Sequence, residues 1–353
     1  MKRFFGKLLL LPFLVLLPFL SSCTKDSSDN PADPSNWNTT DKVAYVYFKS
    51  PAGIYYWKDG NSTLVVPTNG KMFGGLRLSP DGKWIMYANI VNHENIMEVV
   101  KINGDSLHTV FSGRAFPYEY HAEWAPDSRH IMIGDTSTIL VTSFPGDVTE
   151  SYATGSPGNY PHNYTWNSKG DKIYFTSPYQ LNYPWYQGIY SIDLNAKQVD
   201  TVKKTQFLSL SSFSCSANNG SLAFTSYVEK PGSSNPDVDI FVLNLMDKTI
   251  TQLTTSEGQD FASAWSPANP DLLAYFGYED KTVTPRLLFV YNNRTKSKKA
   301  LTSGTQFPSE NLVWSEDGNR ILFFDDNSNK WSYIDVSSGN ITPINISCTG
   351  IDW

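Results

Sequence analysis

One phrase returns along this chain of 353 residues: an aromatic or apolar anchor, a turn of the Ser-Pro-Asp-Gly kind, then a short apolar strand. The anchors are Leu78, Trp124, Trp166, Cys215, Trp265, Trp314 and Trp353, spaced 46, 42, 49, 50, 49 and 39 residues apart. That is the period of a four-stranded propeller blade, and self-similarity at a fixed spacing constrains the fold more than any local propensity. The turn is best preserved at Ser79-Pro80-Asp81-Gly82. There Pro presets φ for the first corner, Asp can bond its own backbone, and Gly accepts the left-handed residue that closes a tight hairpin. Ala125-Pro126-Asp127-Ser128, Asn167-Ser168-Lys169-Gly170 and Ser315-Glu316-Asp317-Gly318 are variants of it.

Read in register, each unit holds four short strands. In the clearest, Ala264-Trp265-Ser266-Pro267 is strand A, Leu272 to Phe276 is B, Leu287 to Tyr291 is C and Lys299 to Thr302 is D. Runs this short, rich in β-branched and aromatic residues and divided by turn residues, are strands. No segment after Leu20 carries a sustained helical stripe, so the chain is all-β. A Trp at the end of strand A serves as a wedge between neighbouring blades.

These phrases resemble the WD40-like, or PD40, repeats of the TolB propeller family, over nearly the whole chain past its leader. They lack the Gly-His and Trp-Asp pairs of true WD40 repeats. The resemblance implies a β-propeller, commonly a binding module, although fold alone does not fix function.

The ends carry the topology. Asp41-Lys42-Val43-Ala44-Tyr45 matches strand B of the repeat at Asp171-Lys172-Ile173-Tyr174-Phe175, with no strand A before it. Gly350-Ile351-Asp352-Trp353 reads as an orphan strand A. Pairing the two would hide sheet edges at both ends. The expectation is a single domain over 41–353: a seven-bladed propeller of four-stranded antiparallel blades, with six continuous units plus one composite, and six blades as the alternative count.

Residues 1–22 read as a signal peptide, with Lys2, Arg3 and Lys7 before an apolar run from Leu8 to Leu20 that is short for a membrane span. Leu20-Ser21-Ser22-Cys23 resembles the lipobox of bacterial lipoproteins, which implies acylation of Cys23 and, with Thr24 next, the outer membrane. Several acyl chains on one Cys make attachment effectively permanent. Residues 23–40 then form a polar tether that buries too little to offset the cost of ordering. Removing the leader's three basic residues takes the formal charge from −6 to −9, which argues against nucleic acid as a partner. Cys215 and Cys348 remain, and both fall in apolar strands, where free buried thiols are expected.

Function follows long loops. The B-to-C loops at Ser177 to Gln187 and Tyr227 to Asp237 are among the longest, and the first carries Tyr179, Tyr183, Trp185 and Tyr186. D-to-A connections on the same rim add Phe116, Tyr118, Tyr120 and His121, then Tyr160 and His162. Aromatic faces with polar edges suit sugar rings and protein hot spots. The candidate ligand site is therefore Tyr118, Tyr120, His121, Tyr160, His162, Tyr179, Tyr183, Trp185 and Tyr186. No cofactor and no catalytic residue is assigned.

The alternative is a metal-assisted polysaccharide lyase or glycoside hydrolase using His93, His121 and His162. Oligogalacturonate lyases resemble this arrangement in setting rim His residues around a divalent ion, though their longer His-containing phrases are not matched here. His108 and His130 read as structural. Acids such as Glu119, Glu123, Asp237, Asp239, Glu257, Asp260 and Glu310 are scattered over several blades, whereas a glycosidase needs two at a set separation. The sequence thus points to a lipid-anchored, monomeric envelope propeller, at the periplasmic face or the cell surface. It would bind or scaffold an envelope protein or a polysaccharide.

Overall fold

The computed structural model describes residues 42–47, 52–58, 61–67, 73–91, 94–114, 122–134, 138–144, 149–154, 162–179, 186–207, 209–228, 237–255, 258–279, 286–303, 308–326, 328–344 and 348–352. Among these, 28 strands form seven four-stranded antiparallel sheets. The first sheet begins with β1 (Lys42–Tyr47), β2 (Gly53–Lys58) and β3 (Asn61–Pro67). The second holds β4 (Phe73–Leu78), β5 (Trp84–Val91), β6 (Glu94–Lys101) and β7 (His108–Arg114). The third holds β8 (Ala122–Trp124), β9 (His130–Gly134), β10 (Thr138–Ser143) and β11 (Thr149–Ala153). The fourth holds β12 (His162–Trp166), β13 (Lys172–Pro178), β14 (Gln187–Asp193) and β15 (Gln198–Lys204). The fifth holds β16 (Ser211–Cys215), β17 (Ser221–Val228), β18 (Asp237–Asn244) and β19 (Ile250–Gln252). The sixth holds β20 (Phe261–Trp265), β21 (Leu272–Gly277), β22 (Leu287–Asn292) and β23 (Ser297–Ala300). The seventh holds β24 (Pro308–Trp314), β25 (Arg320–Asp325), β26 (Lys330–Asp335) and β27 (Ile341–Pro343).

The last strand, β28 (Cys348–Asp352), leaves the seventh sheet and joins the first, in the order β28-β1-β2-β3. Ala44 faces Asp352, Tyr45 faces Ile351 and Val46 faces Gly350. Six sheets are thus continuous in sequence and one is composite, which is why the count depends on how the ends are treated. Seven apolar clusters each bridge two neighbouring sheets. One joins Leu322, Trp331 and Ile344 to Tyr55 and Ile351 across the closure, the next joins Ile54 and Tyr56 to Ile85 and Tyr87, and the other five carry the ring round.

Strand position explains the sequence texture. Second and third strands are covered on both faces by adjacent blades, so β21 reads Leu-Leu-Ala-Tyr-Phe-Gly and is buried from Leu273 to Gly277. Outermost strands meet solvent, so β15 reads Gln-Val-Asp-Thr-Val-Lys-Lys and stays mostly exposed. Lysines on such an edge discourage pairing with another chain.

The predicted turns are built as expected. Ser79 Oγ donates to Asp81 Oδ1 at 2.7 Å and accepts from the Trp84 amide at 3.0 Å. Gly82 supplies the left-handed residue at φ 65°, and Ser128 does so at 58°. Turns of adjacent blades also touch, since the Asp81 amide donates to Ser128 Oγ at 2.9 Å.

The Trp wedges stand between blades. Trp166 Nε1 donates to the Glu123 carbonyl at 3.3 Å, and Trp314 Nε1 to the Ala264 carbonyl at 2.9 Å. Each acceptor is the residue before the preceding blade's anchor. The indoles of Trp124 and Trp265 are as deeply buried, with no acceptor for Nε1 among the described residues. Cys215 fills the anchor position of the fifth sheet as a free thiol, its pKa pushed up to about 12 by burial and then by the charge of Glu123. Cys348 begins β28, and its side chain lies outside the described residues.

Two strands of the sixth sheet are displaced from the sequence reading, while its second and third strands each run one residue longer. Strand A of the sixth sheet is Phe261–Trp265, not residues 264–267, because the Ser266 amide already closes the turn on the Leu272 carbonyl at 2.9 Å. Its strand D is Ser297–Ala300, not residues 299–302. Beyond it Thr302 takes over with its side chain, accepting from the Leu288 amide at 2.9 Å.

Candidate functional site

Strand alternation puts the B-to-C loops and the D-to-A connections on one rim. The gaps between second and third strands are short in the second and third blades, at 92–93 and 135–137, and long in the next three, at 179–186, 229–236 and 278–286. The expected asymmetry of loop size is therefore present over three consecutive blades.

Tyr118, Tyr120, His121, Tyr160, Tyr183, Trp185 and His93 lie outside the described residues, as do Cys23 and the tether. His162 opens β12, where its backbone faces Thr176, and its side chain lies outside the described residues. Tyr179 and Tyr186 are described, and they meet. Their rings stack with centroids 6.5 Å apart and planes 29° apart, while the Tyr179 amide donates to the Tyr186 carbonyl at 3.1 Å. Tyr179 OH donates to the Thr205 carbonyl at 2.9 Å, and Lys204 Nζ lies 5.3 Å over the Tyr179 ring. These two rings pack against each other and against the fourth blade, while residues 180–185 lie outside the described residues.

Glu119 and Glu257 also lie outside the described residues, as does the side chain of Glu310, while four other sequence candidates resolve into structure. His130 Nδ1 lies 2.6 Å from Asp127 Oδ2 in the turn of the third blade, and His108 packs edge-on to Phe144 at 5.3 Å. Asp239 accepts from Gln252 Nε2 at 2.7 Å and from Thr254 Oγ1 at 3.1 Å. Asp260 accepts from the Tyr278 amide at 3.1 Å, stapling the base of another long loop. Among the described residues, no group of three His, Cys, Asp or Glu side chains is placed to hold a metal ion.

Sequence reading passed over the central channel. Four of the innermost strands share a break three residues before the anchor, where Gly75, Asn163, Ser212 and Ala262 adopt φ of 59°, 49°, 49° and 53°. The ladder slips there in each case, for example between Ser211 and Ser214 and between Phe261 and Ala264. Side chains tie these bulges round the ring. Asn163 Nδ2 donates to the Leu210 carbonyl, the Ala262 backbone amide donates to Ser212 Oγ at 3.2 Å, and Ser263 Oγ donates to the Ser212 carbonyl at 3.1 Å. A left-handed non-glycine residue costs on the order of 1 kcal/mol, and these bonds help offset it. The sequence signal was a run of small or amide-bearing residues at one fixed offset from the anchor.

Inside the bulges lies a cavity of about 560 Å³, lined by residues of six innermost strands. Its charged lining residues, Arg77 and Glu123, are among the residues that precede the anchors. In ring order from the closure these are Asp352, Arg77, Glu123, Thr165, Ser214, Ala264 and Val313, so three charges occupy consecutive blades and the other four positions are neutral. Asp352 Oδ2 accepts from the Leu78 amide at 2.8 Å and ties the closing strand to the second blade. Glu123 is pushed up to about 7 by burial, against the opposing pull of Arg77.

A carboxyl whose pKa is higher in the fold than in the unfolded chain binds its proton more tightly when folded, so stability falls as pH rises from the ordinary value towards the raised one. For Glu123 that window runs from 4.5 to about 7. Allowing for water in the channel, the effect is on the order of 2 kcal/mol. The stability difference between Glu123→Gln and the parent should therefore shift in favour of Gln between pH 5 and pH 8, read from denaturant midpoints. A difference that does not move with pH would show that the carboxyl titrates normally.

No family model matches the chain, and no curated protein does. Solved structures do. TolB from Acinetobacter baumannii is 14% identical, with a TM-score of 0.53 over 85% of this chain and 77% of that one. An oligogalacturonate lyase from Vibrio parahaemolyticus is 11% identical, with a TM-score of 0.63 over 89% and 86%. The β-propeller domain of the Trilobed protease from Pyrococcus furiosus, described as having an open velcro topology, is 12% identical, with a TM-score of 0.59 over 79% and 86%. At these identities the likeness is one of fold, and the chain is an all-β propeller of four-stranded antiparallel blades.

Proposed function

We propose that this protein is a non-catalytic binding or scaffold propeller of the bacterial cell envelope, anchored through Cys23 at the outer membrane and recognising a protein or polysaccharide through its aromatic rim. One observation carries the site. The Tyr179–Tyr186 stack and the Tyr179 bond to Thr205 hold both flanks of this aromatic segment on the fourth blade, which supports a role for the segment in recognition. The fold likeness to TolB fits a binding role in the envelope.

Trp185→Ala and Tyr183→Ala should each weaken the ligand by about 1–2 kcal/mol while leaving the thermal midpoint unchanged. Binding can be read on a glycan array and by pull-down from envelope extract. Undiminished binding in both variants would remove the rim from consideration.

The second reading is metal-assisted cleavage of a polysaccharide, favoured by the fold likeness to an oligogalacturonate lyase over most of both chains. It requires a stoichiometric divalent ion in the purified protein and loss of cleavage in His121→Ala or His162→Ala.

A further inference from the structure

We propose that the central channel is a second binding site, distinct from the rim, that seats the carboxylate of a small ligand on the guanidinium of Arg77. The cavity measures about 560 Å³, within the range of small-molecule sites, roughly 300–1,000 Å³. Arg77 is the one cation among the described residues lining it. It is exposed although it stands in the channel wall, and one guanidinium nitrogen donates to the Leu76 carbonyl at 2.8 Å. Its other donors have no hydrogen-bond partner among the described residues, and a guanidinium matches a carboxylate with two parallel hydrogen bonds. Within a concave wall such a pair is stronger than on an open surface.

The remainder of the lining suits the body of such a ligand. Ser214 Oγ donates to the Ser263 carbonyl at 3.3 Å, and Ser263 Oγ donates to the Ser212 carbonyl. Their protons are engaged and their oxygen lone pairs are left to accept from ligand N–H or O–H groups. Leu78, Met132 and Leu312 supply apolar surface between these polar points. Glu123, at the equivalent position of the next blade, lines the same cavity and interacts electrostatically with Arg77, which disfavours ligands with a second negative charge beside the first. A single carboxylate with a short hydrogen-bonding body is the chemistry that fits, and both a free N-acyl amino acid and the end of a peptide possess it.

The test uses purified mature protein and three probes: N-acetylalanine, its uncharged methylamide, and acetyl-tetra-alanine with a free carboxylate. Calorimetry gives affinity, and backbone amide shifts near Arg77 and Glu123 give the location. Both acids should bind, and the methylamide should bind about tenfold more weakly or not at all. Arg77→Met should lose the difference between acid and methylamide, and Arg77→Lys, which keeps the charge without the fork, should retain part of it. Tighter binding of the tetrapeptide would identify a chain end as the natural occupant, while equal binding would identify a small acid. Equal affinity for acid and methylamide, unchanged acid binding in a folded Arg77→Met protein, or no saturable binding of any probe would each overturn the proposal. Trp185→Ala should leave acid binding untouched, so failure here and failure of the rim reading are separable.

Discussion

Deleting residues 348–353 should abolish the cooperative unfolding transition of the propeller, or lower its free energy by at least about 4 kcal/mol. The deletion removes strand β28, whose Ala44–Asp352, Tyr45–Ile351 and Val46–Gly350 pairings complete the first sheet. It also removes the Asp352 carboxylate from the Leu78 amide and empties the place of Ile351, 6% exposed, beside Tyr55, Leu322, Trp331 and Ile344. Ile351→Ala alone should cost about 3 kcal/mol, the usual range for truncating a buried aliphatic side chain. A whole domain is stable by only about 5–15 kcal/mol, so the deletion consumes much of it and exposes an unpaired edge on β1. Urea unfolding followed by tryptophan fluorescence, together with size exclusion, gives the answer. A deletion protein with the parent's midpoint and elution volume would mean that the closing strand contributes nothing to the ring.

The second large effect is expected at the wedges. Trp314→Ala should destabilise by about 4 kcal/mol, since Trp314 is 7% exposed and lies in the cluster that joins the sixth and seventh blades. Trp314→Phe should cost much less, about 1–2 kcal/mol, from the lost bond to the Ala264 carbonyl and the smaller ring. Cys215→Ala, at the same position of the repeat, should cost only about 1 kcal/mol because so little side chain is removed. The ordering Trp314→Ala, then Trp314→Phe, then Cys215→Ala, measured by the same denaturant titration, is the content of the prediction. A Trp314→Ala protein as stable as Cys215→Ala would remove the indole from its role between blades.

The repeat and its closure were legible because they are written in local chemistry. Trp at the end of strand A, Pro and Gly in the turn, and an unpaired strand B near Lys42 each have one structural meaning, and the ladder at Tyr45 and Ile351 agrees with it. Strand ends were less legible. Thr302 looks like a strand residue, yet it caps the Leu288 amide with its hydroxyl instead of its backbone. The aromatic loop was visible as composition, but composition does not separate rings that hold a loop down from rings that greet a ligand. Tyr179 and Tyr186 stack on each other and hold their segment to the blade. The channel was overlooked because Arg77 and Glu123 are far from unusual in sequence. Their meaning comes from register: each precedes its blade's anchor, and only the ring brings that position together.

The composite sheet has a mechanical consequence. Lys42 begins a strand bonded on both flanks, by β28 and by β2, so a force applied at the amino-terminal side is shared between two ladders instead of peeling one from an open margin. Tension and stability are coupled there: a pull strong enough to extract β1 must also unseat the segment that locks the disc.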